Sequence, residues 1–269
     1  MRRTIVILAT VVLGFSLHGI TLGLWASDIE DEEAFVAAAM ESFTLDGSYE
    51  AIADILTEEI IERFPSAEAI EAPLSALLTS FVASPPFEAA LEDLSRQVHA
   101  SSVLGEGTAV TIDLGDYEDL ILSSVAAFSP ALAEQLPDAL FTTYTVVDAD
   151  DMRDLSDEVG ATKRIGWIAL ALAIVSVGII LVIAGTWTAR ITAIAFALLL
   201  SVAITWLAPG IESRFAVEFS DDRFAVLTEN LGQVLIDQLQ ASTIPFGIAG
   251  VLLLVIGYVA ARFVAGRQA

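Results

Sequence analysis

Four long apolar runs divide the chain: 4–26, 165–187, 191–208 and 244–264. A run of about 18 or more apolar residues is long enough to cross the hydrocarbon core of a bilayer as a helix. Only a helix or a closed barrel satisfies its own backbone hydrogen bonds there. The pattern therefore predicts four transmembrane helices.

The polar stretches between the runs carry different periods. Phe35, Ala39 and Phe43 share one helical face. Ile52, Ile55, Leu56, Ile60 and Phe64 share another, and Pro65 ends that helix. Ile70, Leu74, Leu77 and Phe81 align on a third, where Pro73 kinks the helix or sits in its first turn. Ser84 reads as an N-cap with Pro85 at the first helical position, before the stripe Phe87, Leu91, Leu94 and Val98. The period then changes to two. Val110, Ile112 and Leu114 alternate with Thr111 and Asp113 across 108–114, and 140–147 is similarly β-branched and aromatic. These predict two short, paired strands, with helices near 116–128 and 130–136 between them. The segment 105–107, Gly-Glu-Gly, reads as a turn before the first strand. Residues 151–166 lack proline, so a polar helix is expected to run into the second span. Phe224, Leu227, Leu231, Leu235 and Leu239 predict an amphipathic helix in the block before the last span.

The expected fold class is a mainly α membrane protein: four transmembrane helices plus a mostly helical extracytoplasmic domain with a short two-stranded β element. Its domains are an N-terminal transmembrane anchor (1–26), an acidic extracytoplasmic domain (27–164), a transmembrane helical hairpin (165–208), an extracytoplasmic amphipathic helix (209–243), and a last transmembrane helix with a short cytoplasmic tail (244–269). The first run is longer than a usual signal-peptide core and ends in Leu24-Trp25-Ala26, a poor cleavage site, which favours an uncleaved anchor over a cleaved signal.

Charge sharpens this division. The chain of 269 residues has 36 acids against 12 basic residues, a formal charge of −24. All the acids fall within 28–158 and 212–237. An acid-rich, water-exposed part is thus joined to an apolar, acid-free part. Such acidity opposes binding to nucleic acid and to anionic headgroups. Lys163 is the sole lysine, as in halophilic surfaces or under GC-rich coding. With no cysteine, disulfides and thiolate chemistry are excluded. Arg2, Arg3, Arg190, Arg262 and Arg267 flank the ends that alternate to the cytoplasmic side. Both termini are therefore expected inside, with 27–164 and 209–243 outside. Lys163 and Arg164 run against the rule, beside Asp157 and Glu158. Trp25, Trp167, Trp187 and Trp206 sit near predicted span ends, where amphipathic rings favour the headgroup region.

Candidate chemistry is sparse. His18 lies in the first span without an acid or lysine in any span, so a neutral ring bonded to Ser16, Thr21 or a neighbouring helix is expected. His99 could serve as a base or ligand, but a backbone bond near its helix end is the stronger expectation. The acid-rich 148–159 opens like a calcium loop, then places Met152, Arg153 and Val159 where the fifth, sixth and twelfth positions need oxygen, glycine and glutamate. Phosphate-loop, dinucleotide, zinc-protease and hydrolase-elbow motifs are missing from the chain. No catalytic, cofactor-binding or metal-binding residue is assigned, no cofactor is expected, and the chain reads as non-enzymatic.

The segments 31–60, 87–99, 107–121 and 136–147, followed by a membrane hairpin and a last span, resemble actinobacterial-type integral membrane proteins of unknown function. That resemblance implies an N-terminal anchor, a helical extracytoplasmic domain and C-terminal spans, and no activity. The expected function is to present the acidic outer domain for protein interaction or assembly in the cell envelope. The alternatives are an extracytoplasmic ligand sensor relaying through a membrane partner and an envelope lipid-handling protein. The expected partners are the lipid bilayer and a membrane or envelope protein, with no nucleic acid.

Overall fold

In the computed structural model, residues 1–63, 71–113, 115–119, 143–207 and 224–266 are described, with single positions 65, 68, 122, 123, 126 and 130 between them. The helices expected within 116–136 and the segment 209–223 lie largely or wholly outside the described residues. So do Phe64, Ile70, Leu114 and Arg267. The described chain is mainly helical and carries one two-stranded sheet, as expected for its helical content and short β element.

The chain divides into two units. The polar unit contains the described residues of 30–156 and 224–234. Four helices open it: α2 (Glu32–Phe43), α3 (Ser48–Arg63), α4 (Glu71–Val82) and α5 (Pro85–Val98). Asp31 caps α2 by accepting from the Ala34 amide at 3.0 Å. Pro73 falls in the first turn of α4, where its missing N–H has no intrahelical partner to lose. Ser84 has N-cap backbone geometry, but its hydroxyl turns back to the Phe81 carbonyl, so Pro85 and backbone geometry start α5.

After α5 come strands β1 (Val110–Asp113) and β2 (Thr143–Val147), paired antiparallel with Ile112 opposite Tyr144. Gly105, at φ 71°, lies in the left-handed region of the preceding turn. The predicted faces converge on one core. Ile52, Leu56, Leu78, Phe81, Phe87, Leu91, Ile112 and Tyr144 are all buried together. Phe81 and Phe87 meet edge to face with centroids 4.9 Å apart. Phe224 closes a smaller cluster on Val110 and Val147.

The apolar unit contains four helices long and apolar enough to cross a membrane: α1 (Arg2–Glu30), α6 (Ser156–Ile183), α7 (Trp187–Leu207) and α8 (Ala225–Gly266). Residues 235–266 of α8 belong here, while 225–234 belong to the polar unit. The separate helix expected before residue 244 is therefore corrected: one helix runs through that boundary, with Pro245 inside it. Hydroxyls of Ser242 and Thr243 bond the Leu239 and Gln240 carbonyls in the turn before the proline.

Small residues set the packing of this unit. A Cβ on Gly23 would lie 2.7 Å from Gly166 Cα, and one on Gly19 would lie 2.8 Å from Ala169 Cβ. The backbones of α1 and α6 therefore approach as closely as glycine allows. Ala9, Leu13, Ala173, Ile180, Ala193 and Ala197 fill the rest of the core. Trp25 is buried and donates from Nε1 to the Leu235 carbonyl at 2.9 Å, so it packs between helices. Trp167 and Trp187 are exposed.

The hairpin turn lies at 184–186, four residues earlier than the pattern predicts, and Arg190 falls in the first turn of α7. Its Nε donates to the Ala184 carbonyl at 3.1 Å. A cation thus satisfies a carbonyl just past the end of α6, where the helix dipole is negative.

Candidate functional site

Three places in the described residues bring chemistry-bearing groups together. The first is a cavity of about 110 Å³ inside the polar unit. Phe35, Ile52, Leu91, Val146, Phe224 and Leu231 form much of its wall. These come from α2, α3, α5, β2 and the start of α8, so the core faces predicted from periodicity enclose it. Its three hydroxyl residues are Ser42, Ser95 and Thr228. Each donates to a carbonyl of its own helix: Ala39 at 2.7 Å, Leu91 at 2.7 Å and Phe224 at 2.8 Å. The lining contains no ionisable side chain. A water there would lack the two to four polar partners that hold buried water. At about 24 cal/mol per Å³, leaving such a volume unfilled costs roughly 2–3 kcal/mol. The cavity suits an apolar group and lacks the convergent polar groups of a sugar, amino-acid or nucleotide site.

The second place surrounds His99. The ring is 1% exposed, and its Nε2 lies 3.1 Å from the Glu30 carbonyl oxygen. Phe35 packs against it with centroids 5.1 Å apart. The chain continues from His99 to Val103 as one turn of π-helix, which the sequence pattern did not reveal. Such turns often occur at functional sites. Here Ser101 gives its proton to the Thr108 carbonyl at 2.6 Å, while the buried Ser102 Oγ has no hydrogen-bond partner. Neither hydroxyl donates to the His99 imidazole. The Ser102 carbonyl accepts from the Leu155 amide at 2.7 Å, tying the turn to the approach to α6.

That approach is the segment resembling a calcium loop. Asp154 accepts from the Ser156 amide at 2.9 Å and so starts α6. The Ser156 hydroxyl and amide hold the Asp154 carboxyl below its ordinary pKa. Met152 packs on the cluster of Val110, Val147 and Phe224. Among the described residues, no three His, Asp or Glu side chains are placed to share an ion.

The third place is in the apolar unit. His18 Nδ1 lies 2.9 Å from Thr205 Oγ1 on α7, while Ser16 and Thr21 bond carbonyls of their own helix. The neighbouring-helix partner is thus the one the structure selects for His18. At the other end of the bundle, an open groove of about 710 Å³ runs between α1, α7 and α8.

Comparison with protein families, characterised proteins and solved structures finds no match to this chain. The resemblance drawn from the order of segments therefore stands on the sequence pattern alone.

Proposed function

We propose that this chain is a multi-pass membrane protein that presents an acidic extracytoplasmic domain for protein interaction or assembly in the cell envelope. The observation that carries the reading is the joint folding of two segments separated by the α6–α7 hairpin. Phe224 is buried with Val110 and Val147, and Asn230 donates to Ser48 Oγ at 2.8 Å. Residues 30–156 and 224–234 can share one folded unit only if they lie on the same side of the membrane. Two crossings by α6 and α7 satisfy that condition. The short ends carrying Arg2, Arg3, Arg190 and Arg262 then lie on the opposite, cytoplasmic side. α1 supports an anchor because Ala9 and Leu13 belong to the bundle core.

The polar unit's helices carry acids on their outward faces, among them Asp54, Glu58, Glu88 and Asp93. Interaction through the acidic surface remains the best use of this unit. Carboxyl-to-amine cross-linking in native membranes, which couples the acids of 30–156 to a partner's amines, followed by mild-detergent purification and mass spectrometry, tests it. A stoichiometric protein cross-linked through 30–156 is the expected result. A chain that remains alone at native expression levels contradicts the proposal.

The cavity favours a second reading, a sensor for a small apolar molecule. Its satisfied hydroxyls and apolar wall specify that ligand class.

A further inference from the structure

The formal charge of −24 opposes anionic partners for the whole chain, but the charge is unevenly distributed. Val6, Ala189, Ala193, Phe196, Gly257 and Ala261 line the groove between α1, α7 and α8. Its lining includes no acid. Arginines crowd the same ends of these helices. Arg2 and Arg3 stand about one turn before Val6, Arg190 follows Ala189, and Arg262 follows Ala261. Asp28 and Glu30 lie at the opposite end of α1, and Glu229 and Asp237 lie in the opposite half of α8.

Nothing neutralises these guanidinium groups among the described residues. Arg190 spends Nε on the Ala184 carbonyl. Arg262 lies over the Tyr258 ring, 5.6 Å from its centroid, with Nε 3.2 Å from the phenol oxygen. Tyr258 itself lines the groove. Arg2 and Arg3 are exposed. Four arginines thus lie within one to four residues of the lining at one end of an apolar trough.

We propose that this groove is a binding site for an anionic phospholipid. The phosphate sits among Arg2, Arg3, Arg190 and Arg262, and one acyl chain lies along Val6, Ala193 and Phe196. Guanidinium groups bind phosphate through paired, directional hydrogen bonds, and they keep their charge in a low-dielectric layer. The trough supplies the apolar length that a free inorganic anion would not use. Thr10 adds no competing polarity, because its hydroxyl bonds the Val6 carbonyl at 2.8 Å. A partner transmembrane helix would fill the trough but would not neutralise four cations unless it carried acids of its own. Basic pockets between membrane helices recognise anionic headgroups in this way.

The inference rests on the four helices lying in a bilayer, whichever face the arginines occupy. Membranes are first washed with alkaline carbonate. Release of the chain without detergent overturns the membrane reading itself. The full chain is then purified in mild detergent and titrated with phosphatidylglycerol and phosphatidylcholine of identical acyl chains, with binding read by native mass spectrometry. One phosphatidylglycerol should bind at least tenfold more tightly than phosphatidylcholine. R190Q/R262Q should reduce that preference to below threefold. A189L/A261L, which fills the trough from exposed positions, should weaken both lipids while leaving helicity intact. If R190Q/R262Q loses its circular-dichroism signal, R2Q/R262Q takes its place. Equal binding of the two lipids overturns the proposal. So does an undiminished preference in both classes of variant, or binding that appears only after a co-purifying protein helix is stripped away.

Discussion

The two units solve opposite packing problems with the same element. In the polar unit, helices meet through large side chains: Phe81, Phe87, Leu91 and Tyr144 are all at most 4% exposed. In the apolar unit, α1 and α6 meet through Gly19, Gly23, Gly166 and Ala169. The outward faces differ in the same sense. Ile168, Leu172, Val175 and Val182 are exposed on α6, whereas α3 and α5 present Asp54, Glu58, Glu88 and Asp93. Water drives large apolar groups inward, so burial stabilises the polar unit. Lipid gives no such drive, so helices in a bilayer rely on close backbone contact and hydrogen bonds, the kind of contact that α1 and α6 make. The same apolar residue is thus core in one unit and surface in the other.

Core truncation should separate the units most strongly. Phe87→Ala removes a side chain with no exposed surface and should destabilise the polar unit by about 3–5 kcal/mol. The equivalent loss at Leu172, 48% exposed in the bundle, should change stability by less than about 0.5 kcal/mol. Chemical unfolding followed at each unit checks the pair. A large effect of Leu172→Ala would remove the contrast.

Enlarging a small residue should reverse the ranking. Gly23→Leu forces side-chain atoms into the Gly166 backbone, and such overpacking costs about 1–3 kcal/mol or more. Loss of resistance to sodium dodecyl sulfate should follow, with the polar unit's unfolding unchanged. Filling the cavity should have the opposite sign. Ala39→Leu places a larger apolar group at the cavity wall and should stabilise the polar unit by about 0.5–2 kcal/mol. A destabilising result would show that the volume is already occupied or too constrained to fill. Thr205→Val removes the bond to His18 and should cost about 0.6 kcal/mol, measured by detergent unfolding.

The smallest effect concerns pH. Asp154 is held below its ordinary pKa, so its stabilisation is present above the unfolded value of about 3.9. It disappears as pH falls through the lower, folded value. Asp154→Asn should therefore melt slightly below the natural chain at pH 7. The difference should close under acid conditions, and a gap that persists there would argue against the assignment.

Much of this architecture was legible because hydrophobic period reports directly on burial. Ile52, Leu56, Leu74 and Phe87 fell on predicted faces and joined one core. The alternation at Val110 and Ile112 became β1. Other features depend on tertiary partners that no local pattern encodes. The apolar run beginning at residue 244 marked a boundary in sequence, yet α8 continues through it with Pro245 inside. Trp25 looked like an interface residue, and only the Leu235 carbonyl reveals it as a packed one. The π turn at His99 has no composition signature. The cavity and the groove arise where several elements fail to meet, so neither is visible along a single helix.

The central claim is that 30–156 and 224–234 form one unit on one side of the membrane. The natural chain has no cysteine, which makes a paired test clean. Ser48→Cys with Asn230→Cys, in membranes of intact cells, places two thiols where the native side chains lie 2.8 Å apart. A short thiol cross-linker added from outside should join them within one chain, as read by mass spectrometry. Thr186→Cys in the hairpin turn should react only after permeabilisation. Absence of the 48–230 link, with the two thiols labelling from opposite sides, would contradict the account.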